Sequence, residues 1–136
     1  MKRIAACILF DVNFHVLLQL RDNCPSIRSS GLWSLPGGEI EVDESSVDAV
    51  KREIKEETNL VITSPRFLMT LMDSFEEGPP VLVDIYLEEV DSTVNVICGE
   101  GQKLEFVHVD KVGNYPSNFY LSYVLQYARS VIQTFQ

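Results

Sequence analysis

Residues 38–60, GEIEVDESSVDAVKREIKEETNL, put a glycine turn in front of a helix whose second half carries glutamates at i, i+3 and i+4. At roughly 100° per residue, Glu53, Glu56 and Glu57 fall within an arc of about 100°, and Val47, Val50 and Ile54 form an apolar stripe beside it. One side is suited to packing and the adjoining side gathers negative charge. Ser45 and Asp48 read as an S-x-x-D cap, so the helix is predicted to run from there to about Thr58. Like charges at i, i+4 cost a helix about 0.2–0.5 kcal/mol. A hard divalent cation of the magnesium or manganese type, which takes oxygen ligands, reverses that sign. The bland alternative is a solvated acidic face partnered by Lys51, Arg52 and Lys55. Pro36-Gly37-Gly38 weighs toward the ion, because it permits a backbone approach that a β-carbon would block and leaves carbonyls to face a cation. Ala49 leaves room on the glutamate side, or serves simply as a good helix former.

The same stretch resembles the signature of the Nudix hydrolases, Gly-x5-Glu-x7-Arg-Glu-U-x-Glu-Glu-x-Gly-U, with U a bulky aliphatic. Gly38, Glu44, Arg52, Glu53, Ile54, Glu56, Glu57 and Leu60 stand where that pattern places them. Asn59 departs from it, standing where the pattern has glycine. Asparagine is the next residue to tolerate the left-handed conformation at a helix C-terminus, so the departure is conservative. The resemblance implies an α/β fold, a Nudix-type α/β/α sandwich with a central mixed sheet, as one domain over residues 1–136.

Outward from this segment, KRIAACILF over 2–10 reads as a buried strand and HVLLQLR over 15–21 as its hairpin partner. A loop over 22–31 leads into a short strand at 32–35, the Trp-x-Leu-Pro-Gly-Gly approach that is similar in outline to the family's opening. Strands are expected at 66–73, 81–90, 93–98 and 104–109, and apolar spacing predicts a closing helix over 117–135. In the second of these strands Val81, Val83, Ile85 and Leu87 alternate with Leu82, Asp84, Tyr86 and Glu88, which predicts one buried face and one more polar face. Phe75 or Tyr86 is placed to stack on a nucleobase, the alternative for either being core filling. Arg21, at a strand end, reaches a phosphate or is solvated.

The chain's 46% hydrophobic and 23% charged residues are those of a globular domain. Eleven basic against twenty acidic residues give a net charge of −9, which disfavours long nucleic acids and RNA-end processing while leaving small nucleotides open, since bound metal supplies positive charge. Cys7, Cys24 and Cys98 fit neither a disulfide framework nor a zinc site, and Cys7 and Cys98 sit in apolar settings that predict buried thiols. No apolar run approaches a membrane span, so a cytoplasmic protein without membrane partners is expected. Oligomeric state is not legible from these residues.

In the MutT-like branch of the family, the resemblance carries a further metal carboxylate to Glu100 of Glu100-Gly101-Gln102, with Glu105 as the fallback. It carries a base-reading amide to Asn118, although Asn118 and Ser117 are also good helix N-caps. It implies that Gly38 (by its carbonyl), Glu53, Glu56, Glu57 and Glu100 hold Mg2+ or Mn2+. Glu53 or Glu100 is the base, with Glu53 favoured, Arg52 orienting it and Glu44 bracing the loop against the helix. The implied activity is metal-dependent hydrolysis of a nucleoside diphosphate linked to another moiety, first of all a nucleoside triphosphate cut to monophosphate and pyrophosphate. Alternatives are a nucleotide-sugar or other linked diphosphate, and a catalytically silent nucleotide sensor.

Overall fold

The computed structural model describes residues 1–74 and 78–134, so Phe75 and Phe135 lie outside the described residues. The strands are β1 (Arg3–Phe10), β2 (His15–Leu20), β3 (Trp33–Ser34), β4 (Gly37–Glu39), β5 (Arg66–Asp73), β6 (Val81–Glu89) and β7 (Lys103–His108). The helices are α1 (Ser46–Thr58) and α2 (Leu121–Thr134), and a 3₁₀ turn spans Val109–Asn114. The sheet runs β3-β2-β1-β6-β5, with β4 on β1 and β7 on β2. It is mixed: β1 and β6 are parallel from Arg3↔Leu82 to Phe10↔Glu89, and the remaining pairs are antiparallel.

β1 shows why its sequence is apolar throughout. Ala6, Ile8 and Phe10 pack with Leu121, Val124 and Leu125 of α2, whereas Ala5, Cys7 and Leu9 pack with Val50 and Ile54 of α1. A strand covered on both faces has no solvent side to alternate with. The two helices on opposite faces make the three-layer sandwich.

The hairpin of β1 and β2 holds only near its turn, at Phe10↔Val16. Beyond that point the strands diverge and the Trp33–Glu39 stretch fills the gap, β3 pairing with β2 and β4 with β1. This divergence puts Gly37 and Gly38 into the sheet beside α1. The strand β4 was not predicted, because two adjacent glycines carry no strand signal; its pairing comes from the free edge of β1.

α1 starts as its sequence predicts: the Ser45 hydroxyl accepts from the Asp48 amide at 3.1 Å. It ends with Asn59 at φ 65°, whose amide donates to the Lys55 carbonyl at 3.0 Å.

Four expectations are corrected. Residues 93–98 form no strand, because their backbone turns to the end of α1: Ile97 donates to the Thr58 carbonyl at 3.1 Å and Gly99 to the Glu57 carbonyl at 2.9 Å. Helix α2 begins at Leu121 rather than 117, since residues 115–118 are drawn to the sheet, where Trp33 donates to the Pro116 carbonyl at 2.8 Å. Both faces of β6 are buried, α1 covering the one read as polar, where Asp84 accepts from Arg3 at 2.6 Å, Ser46 at 2.7 Å and Thr70 at 2.7 Å. Cys98 is exposed, because the loop that carries it lies on the surface rather than in a strand. No helix among the described residues is long and apolar enough to cross a membrane.

Candidate active site

Glu53 and Glu57 are one turn apart on α1, on the side that meets β4. Glu57 is 2% exposed and continues the buried stripe of Val50 and Ile54. Neutral donors hold its carboxylate: the Gly37 amide donates to Oε1 at 2.6 Å and Gln19 Nε2 to Oε2 at 3.0 Å. The same Gln19 nitrogen donates to the Glu100 carbonyl at 2.9 Å, which ties the loop before β7 to the helix. Ligand atoms of Glu53, Glu57 and Glu100 lie within 4.8 Å of one another.

Arg52 organises the other side of the cluster. Its guanidinium donates to Glu44 at 2.7 and 2.9 Å, to Glu53 at 2.8 Å, to Glu56 at 3.3 Å and to the Glu39 carbonyl at 3.0 Å. Glu44 in turn accepts from the Glu41 amide at 3.0 Å, so loop and helix are braced together. The Arg52 guanidinium and that amide draw the Glu44 carboxyl down to about 2. Burial pushes Glu53 upward, opposed by Arg52. Burial also pushes Glu57 up to about 7: Gln19 and Gly37 oppose the shift, and Glu53 and Glu100 add to it. Neither Glu57 nor Glu100 has an ion pair among the described residues.

Three carboxylate groups at this spacing, one of them buried against neutral donors alone, fit a hard divalent cation. Glu53 and Glu57, their nearness to Gly38, and Glu100 from a distant part of the chain are thus brought together as expected. Glu56 is not: its side chain is 58% exposed and turned to Arg52. Glu105 is also outside, on β7 opposite Leu18, where it pairs with Lys103 at 3.9 Å.

The cluster forms one wall of a cavity of about 340 Å³. Arg21 and Asn118 line it. Arg21 Nε donates to the Arg28 carbonyl at 2.8 Å, and Asn118, 4% exposed, has a buried Oδ1 without a hydrogen-bond partner among the described residues. Tyr86 does not line it. That ring lies beneath α1, edge-on to Phe67, with its hydroxyl donating to Ser46 Oγ at 2.8 Å, so it is core filling. The stacking alternative, Phe75, falls outside the described residues.

Sequence reasoning missed Gln19, Ser34, Arg28 and Asp73 of the same cavity region. Gln19 had a signal, as the one amide in an apolar strand. Arg28, from the 22–31 loop, reaches the Asp73 carbonyl at 3.0 Å and carboxylate at 3.2 Å, a contact no local pattern encodes.

Gly37 and Gly38 are tight for different reasons. A Cβ on Gly37 would run into the backbone of Ala5 and Ala6, and one on Gly38 into the Glu53 carboxylate. Gly37→Ala is expected to lose at least about 2 kcal/mol of stability, because backbone cannot yield. Gly38→Ala is expected to stay within about 1 kcal/mol of the parent, because a flexible side chain moves aside, yet to lose about 10²-fold in turnover as that carboxylate is displaced. Urea melts and catalytic assays of the two variants check the contrast.

The family model described as NUDIX domain matches residues 1–126. An uncharacterized Nudix hydrolase, YvcI of Bacillus subtilis (strain 168), is 27% identical over 120 residues, covering 85% of this chain and 72% of its own. A MutT protein from Methanosarcina mazei Go1 superposes with a TM-score of 0.80 at 21% identity, covering 95% of this chain and 94% of that one. The NUDIX domain of Shewanella oneidensis NrtR, complexed with ADP ribose, gives 0.81 at 24% identity, covering 96% and 87%. These two likenesses are likenesses of fold.

Proposed function

The chain belongs to the Nudix family of pyrophosphohydrolases, and from that premise we propose that it cuts a phosphoanhydride in a small nucleotide with the help of Mg2+ or Mn2+. The observation that carries this reading is the meeting of Glu53, Glu57 and Glu100 within 4.8 Å on one cavity wall. Those three carboxylates would hold the cation, and Glu56 would join them only by giving up its bond to Arg52. When bound, a divalent cation neutralises phosphate oxygens and lowers the pKa of water.

The remaining work falls to the chain. Glu53 takes the proton of the attacking water, as a general base. Arg52, at 2.8 Å, fixes the orientation of that carboxylate. Arg21 supplies positive charge on the phosphate side of the cavity. The Oδ1 of Asn118, without a partner among the described residues, accepts a hydrogen bond from the nucleobase, since a buried amide oxygen left unbonded costs stability until something donates to it.

A nucleoside triphosphate, released as monophosphate and pyrophosphate, is the first substrate class. A nucleoside diphosphate linked to a further group is the second, favoured by the ADP ribose in the similar NUDIX domain. The free thiols suit a reducing compartment such as the cytoplasm. The test is a panel of ordinary and oxidised purine triphosphates, nucleotide sugars and dinucleoside polyphosphates, assayed with and without Mg2+. Cation-dependent turnover of triphosphates above the linked diphosphates is expected; the reverse ranking selects the second class, and turnover that ignores chelator rejects the metal site.

A further inference from the structure

We propose that Gln19 is the positioning residue that sets Glu57, on the helix, and Glu100, on the loop, at the separation one divalent cation needs. This rests on the function proposed above and deepens it. Gln19 is 1% exposed in a strand whose other buried members, Val16, Leu17 and Leu18, are apolar, and where a leucine would pack without any polar group to satisfy. Its Nε2 spends both hydrogens on the site, one on Glu57 Oε2 at 3.0 Å and one on the Glu100 carbonyl at 2.9 Å. The opposite amide orientation would set Oε1 against two acceptors, so only this one is consistent.

The amide's oxygen, by contrast, is buried and has no hydrogen-bond partner among the described residues. An amide kept in the core with half its capacity unspent is kept for what the other half does. Two oxygens, one anionic, share this nitrogen, and the Glu100 carbonyl has only the weak Cys98 thiol as a further donor at 3.3 Å; without the amide the two oxygens would face each other, and the loop would swing away. The loop backbone passes close over Gln19. Gln102 donates to the Leu20 carbonyl at 2.8 Å, and a Cβ on Gly101 would lie 3.4 Å from Gln19 Nε2. Backbone bonds at Gly99 and Gln102 therefore fix where the loop lands on either side, and Gln19 fixes the turn taken by residue 100 itself.

The test is Mn2+ binding to the whole chain by titration calorimetry, with amide hydrogen exchange alongside. Gln19→Met keeps the length and removes the donors, and Gln19→Leu serves if methionine fails to fold. In the variant, Mn2+ affinity should fall about 10-fold and amides 99–102 should exchange at least about 10-fold faster while those of α1 stay unchanged. In a Glu100→Ala background the same substitution should cost under about 3-fold, because there is no longer a carboxylate to position. Parental Mn2+ affinity in a folded Gln19 variant overturns the proposal, as does a full loss that persists without the Glu100 side chain. Failure of the parent chain itself to take up Mn2+ is a different result, seen without any variant, and overturns the proposed function.

Discussion

Glu53→Gln is expected to lower turnover by about 10³-fold, within the range by which a positioned general base accelerates proton transfer, while leaving the fold in place. The amide has the shape of the carboxylate and can still accept from Arg52 through its oxygen, so the 2.8 Å contact survives. The side chain is 12% exposed and lies against Gly38, with Arg52 holding its carboxylate. What the amide lacks is the capacity to receive a proton and the negative charge offered to the cation, so the comparison is made at saturating cation. The loss should therefore appear in kcat, with KM changing less. Melting within a few degrees of the parent and an unchanged circular dichroism spectrum separate lost chemistry from lost structure. Turnover within about 10-fold of the parent, paired with collapse of Glu100→Gln, would move the base to Glu100.

The same helix shows how far a sequence carries a site and where it stops. Glu53, Glu56 and Glu57 occupy one arc of about 100°, and periodicity cannot say which end of that arc meets the sheet. The apolar stripe could. Val50, Ile54 and Glu57 are spaced i, i+4 and i+7, so Glu57 lies on the buried line and is 2% exposed, whereas Glu56 lies about 100° away and faces Arg52. Glu100 was legible through a family motif and not through its surroundings: the strand expected before it is absent, and the backbone there is bound to the end of α1 instead. Tyr86 failed as a base-stacking residue for a related reason. Alternation along β6 gives two faces but not what covers them, and α1 covers this one. Elements whose hydrogen bonds close locally, α1 with its Ser45 and Asn59 caps above all, were read almost to the residue. Contacts made between distant segments, such as Arg28 with Asp73, had no sequence signal to be read from.

At pH 8, saturating Mg2+ or Mn2+ should raise the melting temperature by about 10 °C relative to the chelator-treated chain, with a much smaller rise at pH 5. Without a cation, the folded protein holds the Glu57 carboxyl at about 7 against an ordinary 4.5, chiefly through burial. A folded-state pKa above the unfolded one means that this group's contribution to stability is whole below about 4.5 and is lost as pH rises through about 7. The loss is of the order of 3 kcal/mol. A cation replaces the proton as the partner of that charge, so it gains most where the proton is gone. At a hundred times its dissociation constant it adds about 2.7 kcal/mol, and a domain of this size moves by about 4 °C per kcal/mol. Below pH 5 the cation must first displace the proton, which weakens its binding and its effect. In Glu57→Gln the slope of cation-free stability between pH 5 and 8 should flatten, because the titrating group is gone. Melting curves of the parent that coincide at pH 8 with and without cation, to within about 1 °C, would mean that the carboxylates carry their mutual repulsion unaided.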